Sequence, residues 1–220
     1  MIRRATSEIK IIGINFFIIS AAFTSALIVL SAIAGELLNF YPVSFEVMFP
    51  FFVTIAVGEW GKTRADSNFD IIAAQSNSLF HWVLLRYVIT FGISSLFAVF
   101  CMMLSSAFRY ELPLWELLII YFPPAFFLSS LCALFGIYYT GEHIATLACG
   151  IVWLIVLLIR SLLRISGVGY IYLFIRYADE QNPVWLWNKC IVTVVGLSLW
   201  GIIYLRCMRT DTLCGYQRMA

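Results

Sequence analysis

Long, continuously apolar runs follow one another along the chain, separated by polar stretches. Each run is close to the ~20 residues that a helix needs to cross the ~30 Å apolar core of a bilayer. Strands of a membrane barrel would instead alternate apolar and polar residues. The pattern therefore predicts an all-α integral membrane protein, a single transmembrane domain over residues 1–220 with six spans. These are predicted at residues 11–34, 43–60, 83–107, 114–138, 144–164 and 187–205.

Composition supports lipid as the main solvent of this chain. Hydrophobic residues make up 62% of the 220 residues and charged residues 12%, about half of the ~25% usual in soluble domains. The net charge is +2 and no basic run occurs, which argues against nucleic acid as a partner. The six cysteines form no C-x-x-C pair, so no metal site is predicted.

The first apolar run allows two interpretations. Arg3 and Arg4 precede it, and Ala32-Ile33-Ala34 resembles the cleavage site of a secretory signal peptide. The apolar part of a signal peptide is about 7–15 residues long, however, and the run at 11–34 is longer. We therefore favour a retained first span.

The distribution of Lys and Arg predicts the orientation, because cytoplasmic connections carry an excess of them. If the N-terminus is cytoplasmic, most of these residues lie inside, and both termini are cytoplasmic in a multi-pass protein of the inner membrane. The inside then holds Arg3, Arg4, Lys10, Lys62, Arg64, Arg86, Arg206, Arg209 and Arg218, and the outside Arg109, Arg160, Arg164, Arg176 and Lys189.

The connection after the second span is predicted to contain an amphipathic helix over residues 67–82. Ser67 followed by Asp70 matches the start of a capping box, and apolar residues then recur at helical spacing. Such a helix lies at the membrane surface rather than crossing it. It is either a loop resting on lipid or a docking element for a cytoplasmic partner.

The order of features in this region resembles a known family. Glu59 and Gly61 close the second span, an apolar helix follows at 69–74, a small polar turn at 75–78, and Arg86 opens the third span. This order is similar to that of type-2 ABC exporter permeases. The spacing from glutamate to glycine is tighter than usual in that family, and its usual proline is absent.

The resemblance implies six spans, a cytoplasmic coupling helix between spans 2 and 3, and a re-entrant external segment between spans 5 and 6. It also implies a cytoplasmic ATP-binding subunit and a second permease copy or paralogue as partners. The coupling residues would be Glu59, Gly61, Asp70 and Ser76. The sequence has no phosphate-binding loop motif, so ATP and Mg²⁺ are expected on the partner, and neither a cofactor nor enzymatic activity is expected on this chain.

Charged residues near the predicted outer face allow two interpretations. Arg160 and Arg164 precede the long connection at 165–186, which the resemblance implies is an external gate, and Arg176 lies within it. These three arginines are predicted to form the substrate path or its gate. Alternatively, Glu46, Arg160 and Arg164 extend to the lipid headgroups without a functional role. An amphipathic substrate, which could be a peptide, an antibiotic or a lipid-like molecule, suits a path between apolar helices.

The sequence lacks two motifs that would favour an enzyme over a transporter. The sequence contains neither H-E-x-x-H nor G-x-S-x-G. Glu142 and His143 are interpreted as a solvated turn or a partner contact. The alternative to a permease is a membrane assembly or immunity factor that transports nothing.

Overall fold

The computed structural model describes residues 15–30, 42–66, 79–109, 113–164, 167–179 and 181–208, and within these ranges it contains helices and no strand. A π-helix at Pro42–Met48 leads directly into α2, and two short 3-10 helices at Ile159–Arg164 and Val168–Tyr170 follow α5. The α-helices are α1 (Asn15–Leu30), α2 (Phe49–Trp60), α3 (Leu79–Arg109), α4 (Leu114–Tyr138), α5 (Ile144–Leu158), α6 (Ile175–Ala178) and α7 (Trp185–Met208).

Five helical stretches are long and apolar enough to cross a membrane, and they agree with the second to sixth predicted spans. The described part of the first predicted span is α1, a shorter apolar helix. The all-helical architecture is confirmed, and the described residues contain five helical stretches that suit a multi-pass membrane protein, where six spans were predicted. The five are Val43–Trp60, Leu79–Leu104, Leu114–Tyr138, Ile144–Ser161 and Trp185–Met208.

Helix α4 lies at the centre of the bundle and packs against α2, α3, α5 and α7. Its span is 67% buried, as is the span that contains α2, whereas only 11% of the α5 span and 22% of the α7 span are buried. The peripheral helices expose large aliphatic side chains such as Leu158 and Leu205. These surfaces are compatible with lipid and not with water.

Helix α1 runs antiparallel to α2 and is held by aromatic contacts. Phe16, near the start of α1, lies 4.9 Å from the ring of Trp60 at the end of α2. Phe23, further along α1, stacks on Phe52 at 4.5 Å. Stacked and edge-on ring pairs contribute about 0.5–1.5 kcal/mol beyond the area that they bury.

Pro50 influences how the second span begins. Its nitrogen carries no hydrogen and cannot donate to a carbonyl one turn earlier, and the chain before it is wound as a π-helix, Pro42–Met48. Thr54 Oγ1 donates to the Pro50 carbonyl at 2.7 Å. Glu46 lies in this π-helix, a type of turn that is frequent at functional sites.

The third span begins earlier than the sequence predicted. Residues 79–82, expected at the end of the amphipathic helix, are the first turn of α3. The reason is burial, since Leu79 and Val83 pack in one apolar cluster with Ile137 of α4 and Ile203 of α7. The rest of the predicted amphipathic helix lies outside the described residues.

Candidate functional site

Two polar networks lie at opposite ends of the second span, and each is centred on one of its carboxylates. Glu46 lies in the π-helix at the start of the span, and Glu59 lies in the last turn of α2. We call the first, with Lys189 and the 167–179 segment, the Glu46 network. The second, with His143, Thr146 and the turn after α2, is the Glu59 network.

The Glu46 carboxylate is fully buried, and three donors surround it. Lys189 of α7, itself only 2% exposed, donates from its ammonium group. The backbone N–H groups of Arg176 and Tyr177 donate at 3.2 and 2.5 Å. Removing two charges from water is costly unless they are paired and hydrogen-bonded, and this geometry meets both conditions.

Two arginines fix the same segment from further out. Arg176 forms an ion pair of 2.6 Å with Glu116 of α4, and its guanidinium lies 5.0 Å from the ring centre of Trp185. Arg160, which follows α5, donates to the carbonyl of Ala178 at 2.7 Å. Two of the three arginines that the sequence assigned to a path or gate thus hold the chain between α5 and α7.

The first half of this segment is held by neutral groups. Asn188 of α7 donates through Nδ2 to the carbonyls of Gly169 and Tyr172, at 3.0 and 2.8 Å. The Tyr172 hydroxyl donates to the Val156 carbonyl at 2.9 Å. Burial raises the pKa of Tyr172 from its ordinary value of about 10 to about 12, and the hydroxyl is a donor at physiological pH.

The position of Glu46 corrects one prediction. Its carboxylate does not extend to the headgroups but lies inside the bundle, because α7 supplies a buried cation. Arg160 does have an exposed side chain. Arg164 belongs to the 3-10 helix after α5, and its side chain lies outside the described part of the structure. The sequence did contain a signal for this pair, because an acid, Glu46, and a base, Lys189, lie in two different apolar runs. Sequence reasoning did not use this signal.

The Glu59 network joins three elements at the other end of the bundle. His143 Nδ1, just before α5, donates to the two oxygens of Glu59 at 3.0 and 2.9 Å. Thr146 of α5 donates to the same carboxylate at 2.9 Å. The Lys62 ammonium nitrogen lies 3.6 Å from the carboxylate oxygen Oε2 of Glu59. Because Glu59 keeps 24% of its side chain exposed, this network borders on solvent.

The turn after α2 is fastened to α3 and α4. Arg86 of α3 contacts Asp66 at 2.5 Å and donates to the Lys62 carbonyl at 2.7 Å. Arg64 donates to the carbonyl of Tyr138, at the end of α4, at 3.1 Å. The turn is therefore hydrogen-bonded to α2, from which it continues, and to α3 and α4.

Two glycines permit these close approaches. A Cβ atom on Gly61 would lie 2.5 Å from the Val57 carbonyl oxygen, and one on Gly58 would collide with Thr146 Oγ1. Gly58 therefore lets α5 approach α2 closely enough for Thr146 to reach Glu59. Gly61 lets the chain leave α2 with its N–H on the Val57 carbonyl, at 2.9 Å.

The remaining predicted residues divide into two groups. Asp70 and Ser76, expected to couple the chain to an ATPase, lie outside the described residues. His143, interpreted as part of a solvated turn, is 61% exposed yet bonds Glu59, and Glu142 is 71% exposed and lies 4.0 Å from Lys62. Sequence reasoning missed the link to His143, because 84 residues separate it from Glu59 and no local pattern connects them.

Comparison with known proteins finds no matching family model, curated protein or solved structure. Within the described ranges, no group of three or more His, Cys, Asp or Glu side chains could hold a metal ion. The interpretation of the site therefore depends on the two networks.

Proposed function

We propose that this chain is the membrane-spanning permease subunit of an ATP-binding cassette exporter. It would move an amphipathic substrate, a peptide, an antibiotic or a lipid-like molecule, out of the cell with ATP hydrolysed by a separate subunit. The observation that supports this most directly is the pair of networks, since one helical stretch carries a bonded carboxylate at each of its ends.

The partner would act at the Glu59 end of the bundle. Exposed side chains there, Glu142 and His143, stand beside the half-buried Glu59. The region with Asp70 and Ser76, which lies outside the described residues, would complete the contact, as the family resemblance implies. ATP and Mg²⁺ would bind the partner, and a second permease copy or paralogue would complete the path.

Movement at the Glu59 end would then reach the opposite end through the second span. Helix α2 is packed against α3, α4 and α5, α1 contacts it through aromatic rings, and most of its residues are buried. A shift of Glu59 would displace the π-helix that carries Glu46, and with it the 167–179 segment. Rocking of the second span against the fifth would open the interface on the far side.

Identification of the proteins that accompany the chain tests this proposal. The tagged chain would be expressed in its native membrane, extracted in mild detergent and analysed for bound proteins. A stoichiometric soluble ATPase supports the permease. A complex without any nucleotide-binding subunit overturns it and favours the assembly or immunity factor.

A matched pair of variants tests whether Glu59 takes part in coupling. Glu59→Gln should weaken ATPase retention or uncouple ATP hydrolysis from transport, because the amide loses the charge that His143 and Lys62 surround. Glu142→Gln removes a carboxylate of the same region that is 71% exposed and should change neither property. Equal behaviour of the two variants would argue against a coupling role for Glu59.

A further inference from the structure

An apolar cavity of about 410 Å³ lies beneath the 167–179 segment, between α5 and α7. This volume lies within the range of ~300–1,000 Å³ typical of ligand pockets. The roof is formed by the chain that Asn188 and the Glu46 network hold in place. Its walls include Val152, Val156 and Ile159 on the α5 side and Ile191, Val192 and Val195 on α7.

The cavity opens toward the surface that faces lipid. Ile171 in its roof is 69% exposed, Val195 in its α7 wall is 41% exposed, and Ile159 in its wall on the α5 side is 38% exposed. These residues lie on or beside α5 and α7, the two least buried of the candidate spans. A hydrocarbon chain from the bilayer therefore suits both the lining and the opening.

A cation lies next in the chain to the cavity lining and contacts the 167–179 segment that forms the roof. Arg160 follows directly after Ile159, and its side chain is exposed. It makes a bond of 2.7 Å to the Ala178 carbonyl and lies 5.4 Å from the ring centre of Tyr177. No carboxylate of the described residues forms an ion pair with Arg160. A guanidinium has five N–H donors, so this one can still bind an anion.

We infer that the cavity and Arg160 together bind an anionic phospholipid of the surrounding bilayer. One acyl chain occupies the space beneath Ile171, and the phosphate accepts hydrogen bonds from the Arg160 guanidinium. The lipid then supports the 167–179 segment from below, as Glu46 supports it from the side. This site does not depend on the proposed transport function, since a protein that transports nothing would bind the lipid equally.

A second apolar groove shows why the positive charge of Arg160 is needed to assign an anionic lipid to the cavity. It lies between α4 and α7, has a volume of about 640 Å³ and is also lined by apolar side chains. Its one charged lining residue is Lys189, whose ammonium group is paired with Glu46. The lining of this groove therefore offers no unpaired cation to a phosphate. The groove serves as an internal control for lipid binding that depends on apolar contact alone.

Native mass spectrometry of the purified protein tests the inference. The protein would be supplied with equimolar phosphatidylglycerol and phosphatidylcholine of identical acyl chains, and the retained lipids counted. We expect the wild type to retain the anionic lipid preferentially and Arg160→Gln to reduce that preference about fivefold. Val195→Phe, which fills the cavity from an exposed position, should reduce retention of both lipids.

Two controls separate this site from unspecific lipid binding. Arg206→Gln removes an arginine at the other end of the bundle, which lies 5.0 Å from the ring centre of Tyr138, and it should leave the preference unchanged. Val194→Phe places the same ring in the second groove and should leave retention unchanged. Equal retention of the two lipids by the wild type, or an unchanged preference in Arg160→Gln, would overturn the inference.

Discussion

The buried ion pair of Glu46 and Lys189 is a costly arrangement at the scale of single residues. Glu46 is 0% exposed and Lys189 is 2% exposed, so neither charge has water to stabilise it. The two backbone N–H groups of Arg176 and Tyr177 complete the donor set of the carboxylate. The pair therefore fixes where α7 and the 167–179 segment meet the second span. An apolar pair of equal size could be as stable but would not specify this geometry.

Replacing one member of this pair should be far more damaging than replacing both. Lys189→Met leaves an uncompensated carboxylate in the bundle, and we expect it to lower the free energy of unfolding by about 3–5 kcal/mol. The double variant Glu46→Leu with Lys189→Met removes both charges and should recover most of that loss. Thermal unfolding of the purified proteins in detergent measures both effects. A single variant as stable as the wild type would contradict the burial of the pair.

The same residues explain how far sequence reasoning reached. Apolar runs are local, and they correctly predicted the five helical stretches of the described residues that could span a membrane. The partner of Glu46 is 143 residues away, and a charge near the end of a run suits either the headgroups or a buried partner. Which of the two applies depends on packing, and a single sequence does not contain that information.

At the scale of elements, the contact between α2 and α5 depends on a glycine. Gly58 faces Thr146, and the absence of a side chain lets the two helices approach closely. Thr146 can then donate to Glu59 at 2.9 Å. Small residues have this role generally between membrane helices, because they let the helix backbones come close together.

A single methyl group at this contact should separate the helices. Gly58→Ala places a Cβ atom against Thr146 and Cys132, and we expect a loss of about 1–3 kcal/mol in the free energy of unfolding from overpacking. Gly201→Ala in α7 is the matched control, because a Cβ atom there meets nothing within 4 Å. It should be neutral or stabilising by up to ~1 kcal/mol through helix propensity. Thermal unfolding distinguishes the two variants, and equal stability would contradict the close contact.

At the scale of the whole molecule, the second span connects two hydrogen-bonded ends. Its Glu59 end holds the turn after α2 and the start of α5, and its Glu46 end holds α7 and the 167–179 segment. The two least buried candidate spans are divided between the networks, since α5 contributes Thr146 to the Glu59 network and α7 contributes Lys189 to the Glu46 network. Under the proposed function, an input at the Glu59 end would change the packing at the Glu46 end through this span.

Hydrogen exchange of the 167–179 segment in the isolated native complex tests this account most directly. Exchange would be measured by mass spectrometry with ATP and without nucleotide. If the second span transmits the action of an ATPase, ATP should change the exchange of the amides of Arg176 and Tyr177, which bond Glu46, and Glu59→Gln should abolish that change. The same exchange with and without ATP, in a complex that hydrolyses it, would contradict the account.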